Sequence, residues 1–176
     1  MEEMYLTDFE PKDFFKSFYY VSKTVLLSPK AFYSAMKRDG NFKAPFIYMV
    51  VCVLFHILVF GILHKDAELM LKSLFLGVLF PLITAGILFL IVTRAFKASG
   101  SYESAFRVNA YASAVNLATW LPLVGLLFEI YRIYLIVTGL SAVFSIKTSR
   151  SLLAVLLTMA VYIAASAGMG LYRGGT

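Results

Sequence analysis

A chain of 176 residues that is 60% hydrophobic, with a mean hydropathy of +0.80, has more apolar surface than a soluble core of that size can cover; soluble domains are about half apolar. Its formal net charge of +6 sits beside apolar runs, a pattern that orients a protein in a bilayer and argues against a nucleic-acid partner. The single cysteine, Cys52, lies in an apolar run, which excludes a disulfide framework and a thiolate metal site.

Residues 1–43 read as a cytosolic or interfacial arm. The opening MEEMYLTDFEPKD is acidic and polar, unlike a cleavable signal peptide. Beyond it, Phe14, Phe18, Val21 and Val25 recur at helical spacing, with Lys12, Lys16 and Lys23 on a polar side. Such a helix is expected to lie in the headgroup layer, aromatics toward the acyl chains and lysines at phosphates. Ser28-Pro29 starts a second helix, because Pro is tolerated where the first helical N–H has no partner anyway. Phe32, Tyr33 and Met36 give it a short apolar face, and Gly40-Asn41 ends it.

Residues 44–176 read as a transmembrane domain of five spans, at about 44–63, 70–93, 103–121, 123–144 and 151–172. About 20 residues at about 1.5 Å each cross a hydrocarbon core of about 30 Å. Pro81 predicts a kink in the second span, absorbed near Thr84 and Gly86. Leu121-Pro122-Leu123 separates the third span from the fourth. A different partition takes the uncharged run Val108 to Phe128 as one span and puts Glu129 and Arg132 in a loop. It leaves only Ile133 to Ile146, too short to cross, so five spans are preferred. With the N-terminus inside, the outer side holds only Lys65, Lys72 and Arg173, Arg132 lies within a span, and the other twelve of the 16 Lys and Arg fall inside. The positive-inside rule therefore puts the N-terminus in the cytoplasm and the C-terminus outside.

Pro29-x-x-Phe32, Pro45, Ser101-to-Tyr111 (SYESAFRVNAY), Leu121-to-Gly125, Gly139-Leu140 and the basic Lys147-to-Arg150 loop together resemble the Yip-domain family of Ypt-interacting membrane proteins. The resemblance covers about residues 28–172. It implies an all-α five-span bundle with a cytosolic N-terminus and a short external C-terminus. Eukaryotic members are linked to Rab-type GTPases and membrane trafficking. The short arm here is similar to a prokaryotic type without the long N-terminal domain, which implies the inner (plasma) membrane.

The stretch from Ser101 to Leu140 is expected to be the buried centre, because charges inside hydrocarbon cost about 2.5–3.5 kcal/mol each on insertion scales and turn toward protein or trapped water. Glu129 and Arg132 are three residues apart and share a helical face. They either form a structural ion pair or line a polar site open to water or headgroups. Asn109, Ala112, Ser113, Asn116 and Trp120 form a small-and-polar stripe on the third span, either helix-packing glue or one wall of a wet cavity. Asn109, Asn116, Trp120, Glu129 and Arg132 are thus the candidate intramembrane polar site. Lys12, Lys16, Lys23, Arg94, Lys97, Lys147 and Arg150 are the candidate lipid-headgroup contacts, at about 1 kcal/mol per well-placed cation. Ala160, Ala164 and Gly168 in the fifth span suit close packing within the chain or a homo-oligomer. Tyr131 and Tyr134 read as packing residues.

His56 and His64 have no metal-ligand partners at suitable spacing, no span contains an Asp, and no phosphate loop or nucleophile motif is present. No cofactor or metal is expected, and the chain reads as a non-enzyme. The leading expectation is a membrane scaffold or adaptor that binds a cytosolic or membrane protein partner, or organises lipids, through its cytosolic face. The rival is a small permease or lipid-handling protein using the Asn116/Glu129/Arg132 interior. A scaffold buries the ion pair dry; a permease has a cavity that reaches it.

Overall fold

The computed structural model describes residues 8–38, 42–64, 67–119 and 125–173, and among these every regular element is helical. A 3₁₀ turn at Pro11–Asp13 leads into α1 (Phe14–Leu27), followed by α2 (Pro29–Ala35), α3 (Lys43–His64), α4 (Ala67–Leu90), α5 (Tyr102–Ala112), α6 (Gly125–Val143) and α7 (Thr148–Arg173). The turns Pro122 and Gly40-Asn41 lie outside the described residues, as does Trp120.

Three stretches are long and apolar enough to cross a membrane: Met70–Ala95, Gly125–Val143 and Thr148–Ala167. They correspond to the second, fourth and fifth expected spans. The first is matched by a shorter apolar stretch, Lys43–Val59, within α3. The third expected span is two pieces. α5 runs for 11 residues and tightens into a 3₁₀ segment at Ser113–Leu117, with the Ser113 hydroxyl donating to the Asn109 carbonyl at 3.3 Å. Together, at about 1.5 and 2.0 Å per residue, they form a rod of about 26 Å. α4 runs through Pro81 without ending there. Its irregularity comes ten residues on, in a π turn at Ile91–Ala95 where the Thr93 hydroxyl bonds the Phe89 carbonyl.

α5 is the axis of the bundle. The Ser101 side chain accepts from the Ser104 N–H at 3.1 Å and starts the helix, and every residue from Ser104 to Ala112 is buried. Its sequence YESAFRVNAYA is barely apolar. Its small residues Ser104, Ala105, Ala110 and Ala112 let neighbours approach closely, and those neighbours supply partners to Ser104, Arg107 and Tyr111.

Those neighbours include the arm. α1 buries Ser17, Val21, Ser22 and Val25, and α2 buries Pro29, Phe32 and Tyr33. The expectation of a helix lying in the headgroup layer accounts for only the opposite face of α1, where Phe15 and Tyr19 stay exposed. The inner face is held by a polar contact between Ser22 Oγ and the Tyr48 hydroxyl at 2.8 Å, and by Phe9 and Phe18 rings against Tyr48. α2 then runs beside α6 in the same direction. Leu26 just before it meets Tyr131, Tyr33 meets Gly139, and Arg38 just after it meets Ala142. At about 1.5 Å per residue, Tyr131 to Ala142 is about 16 Å of α6. Gly139 permits this approach: a Cβ there would sit 2.6 Å from Val108 Cγ1 and 3.1 Å from the Tyr33 ring. On α7, Ala160 and Ala164 are exposed, so the described part of the small-residue stripe faces away from the monomer.

Candidate functional site: the polar interior

α5 carries polar groups on two opposite faces. At 3.6 residues per turn, Ser104, Arg107 and Tyr111 share one side, while Asn109, two residues from Arg107, points about 200° away.

The first face meets the arm. Arg107 is 0% exposed, and its Nη2 lies 2.5 Å from Asp8 Oδ2, a partner 99 positions earlier. The Tyr111 hydroxyl donates to the other Asp8 oxygen and accepts from the Phe9 N–H at 3.0 Å. Glu103 Oε1 is 3.9 Å from Arg107 Nη1. Ser104 Oγ donates to the Arg38 carbonyl at 2.8 Å, and the Tyr33 hydroxyl donates to the Val108 carbonyl at 3.3 Å. Burial pushes the Tyr33 phenol well above its ordinary range, so it stays a donor. Sequence reasoning counted Arg107 among the inner-side charges and missed this pair. The available signal was an Arg followed by Asn109 and Tyr111 in a stretch whose one acidic residue is Glu103.

The second face meets a cavity. Asn109 is 1% exposed, yet neither atom of its amide has a hydrogen-bond partner among the described residues. It lines a space of about 620 Å³ bounded by Phe80 and Thr84 of α4, Glu129, Arg132 and Ile136 of α6, and Tyr162 and Ile163 of α7. An adjoining space of about 440 Å³ takes in His56, Pro81, Asn116 and Thr119. Phe80, Glu129 and Arg132 border both. The fold therefore gathers Asn109, Asn116, Glu129 and Arg132 around one pair of adjoining cavities. Trp120 lies outside the described residues.

The Glu129–Arg132 pair is looser and more exposed than a closed, buried ion pair. Arg132 Nη1 and Glu129 Oε2 are 4.0 Å apart, and the side chains are 24% and 53% exposed. The reason is local: the opening turns of α6 are covered on one side only, with Leu126, Leu127 and Ile130 exposed while Phe128 and Tyr131 pack on the core, and full burial begins at Leu135. Two other polar pairs at the rim are closed. Thr84 Oγ1 lies 2.8 Å from the Tyr162 hydroxyl, and His56 Nδ1 lies 3.0 Å from Thr119 Oγ1. Tyr131 donates to the Leu26 carbonyl at 2.6 Å and packs on Tyr134.

Lys12, Lys16, Lys23, Arg94, Lys97, Lys147 and Arg150 are all exposed. Three connections meet at one end of the bundle. Gly100 packs on the Phe144 ring, and Arg38 Nη2 reaches the Ala142 carbonyl at 3.3 Å and Ser145 Oγ at 3.4 Å. Among the described residues, no group of three His, Cys, Asp or Glu side chains could hold a metal ion.

Residues 23–169 match the family model of the Yip1 domain, a stretch that includes Arg107 and all the cavity-lining residues named above, while Asp8 precedes it. No curated protein and no solved structure matches the chain.

Proposed function

The chain belongs to the Yip1 domain family of membrane proteins, and from that premise we propose that it is a non-enzymatic scaffold that organises anionic lipid, or holds a protein partner, through the basic end of its bundle. The observation that carries this reading is the exposure of Arg94, Lys97, Lys147 and Arg150 where the arm and two interhelical connections converge. The charge asymmetry of the sequence puts that end in the cytoplasm, facing the anionic leaflet, where each cation contributes about 1 kcal/mol of attraction. Removing the whole arm is a poor test, because it strips Phe9, Val21, Val25, Phe32 and Tyr33 from the core. The better test neutralises Lys97, Lys147 and Arg150 to Gln together and measures phosphatidylglycerol retained by the purified protein. Retention drops if the basic end holds anionic lipid. Wild-type retention sinks the lipid half of this reading and leaves the protein partner.

A second reading, a lipid-handling or small permease role, is favoured by the cavity that reaches Asn109, Glu129 and Arg132. Glu129→Gln then abolishes uptake or lipid exchange in liposomes, whereas a purely scaffolding chain is indifferent to it.

A further inference from the structure

We propose that the cavity pair between α4, α5, α6 and α7 is a binding site for one zwitterionic phosphoethanolamine headgroup, with Glu129 taking the ammonium, Arg132 the phosphate and Asn109 a phosphate or ester oxygen. This deepens the second reading above and rests on it. Three observations converge. Asn109 is almost wholly buried, lines the cavity, and leaves both its donor and its acceptor unmatched, which a buried amide does only at a cost unless something enters to meet it. Glu129 and Arg132 stand 4.0 Å apart, well beyond the 2.7–2.9 Å of a closed charge-assisted bond, so both keep capacity for a ligand. Opposite charges side by side match a head that carries both signs; a purely anionic head would meet Glu129 at a loss. The space of about 620 Å³ falls in the usual range for a ligand site.

The surroundings point to a lipid as the source of that head. Phe80 and Ile163 at the rim are exposed, Ile163 to 67%. In a bilayer that rim meets acyl chains, so a lipid enters sideways. Glu129 and Arg132 are four and seven residues from the start of α6, about 6 and 10 Å along its axis, so both charges lie in the first half of the helix, toward one end of the bundle. Asn109→Leu separates binding from folding. An apolar side chain of similar size removes the unmatched amide, so the variant melts at or above the wild-type temperature while losing the ligand contact.

The test uses the full chain in detergent with defined lipids, bound lipid being counted by native mass spectrometry. In the Lys97, Lys147 and Arg150 to Gln background, which takes the basic end out of the count, phosphatidylethanolamine is expected to be retained at least tenfold over phosphatidylglycerol. Glu129→Gln should erase that preference, and Arg132→Gln and Asn109→Leu should each lower retention about tenfold. Displacement by free phosphoethanolamine or by a free amino acid at equal concentration assigns the site to a soluble zwitterion and overturns the lipid source. Retention of lipid that Arg132→Gln lowers but without a preference between headgroups keeps a lipid-holding cavity and overturns the zwitterion. Retention unchanged in all three variants overturns the headgroup site, and the second reading falls with it only if Glu129→Gln also leaves uptake and lipid exchange in liposomes unchanged.

Discussion

Asp8→Ala is the sharpest probe of how the arm is held. It leaves the Arg107 guanidinium, 0% exposed, without the carboxylate 2.5 Å away, and it also removes the acceptor of the Tyr111 hydroxyl. Removing one partner of a buried pair costs about 3–5 kcal/mol, because the other charge stays desolvated. For a chain of this size each kcal/mol moves the melting temperature by about 2–4 °C, so the drop is on the order of 10 °C. Glu103, whose nearest oxygen is 3.9 Å away, is the nearby carboxylate that remains, at a longer distance than Asp8. The assay is thermal melting in detergent followed by circular dichroism, run with Arg107→Met and the double variant. Replacing both partners by apolar groups is far milder than removing one. The double variant therefore melts above Asp8→Ala, with a coupling energy of about 2 kcal/mol or more. Asp8→Ala melting within about 2 °C of wild type refutes the reasoning, because Arg107 then has compensation and the arm is held by other contacts.

Gly139→Ala pushes a methyl into Val108 and the Tyr33 ring, both fully packed, and should destabilise by about 1–3 kcal/mol in the same melts. Tyr131→Phe deletes the bond to the Leu26 carbonyl; about 0.6 kcal/mol is expected, read as faster amide exchange confined to the α1–α2 junction. Topology is checked by cysteine labelling, for which buried Cys52 is a silent background. Lys97→Cys should react with an impermeant maleimide only from the cytoplasmic side and Lys72→Cys only from the other, and labelling of both from one side contradicts the charge assignment.

Hydropathy located α4, α6 and α7 because each is apolar over most of its length, and length and apolarity are properties one segment carries alone. α5 was harder to place. It was expected as a full span; it is a short α-helix continued by a 3₁₀ segment, buried from Ser104 to Val115, so it shows little of the apolar outer face that hydropathy detects. The periodicity of α1 was legible, with Val21 and Val25 on the buried side, but what that side meets was not. The same apolar stripe serves acyl chains or a protein groove, and only Tyr48, Tyr111 and Val108, far along the chain, decide between them. The polar stripe through Asn109 and Asn116 was legible by spacing, and the fold does bring it to Glu129 and Arg132. The looseness of that pair was not, since it depends on where the first turns of α6 lose their neighbours.

Arg107 and Asn109 are neighbours in sequence with opposite fates, and the difference is informative about the bundle. Both are buried polar groups on a helix with little apolar character of its own. Arg107 is met by a carboxylate delivered from the arm, so its face of α5 is closed, and opening it is costly. Asn109 faces the space bounded by α4, α6 and α7, where nothing described meets its amide. A bundle that needed Asn109 only for packing could satisfy it with one more hydroxyl, as Thr84 satisfies Tyr162 nearby. The asymmetry divides α5 into a locked face and a receptive one. Variants on the locked face should therefore lower melting temperature with little change in the headgroup preference of whatever protein still folds. Variants on the receptive face should do the reverse. A matched series, Asp8→Asn and Ser104→Ala against Asn109→Leu and Glu129→Gln, tests this directly. If stability and lipid retention fall together in all four, the two faces are one network and the division is wrong.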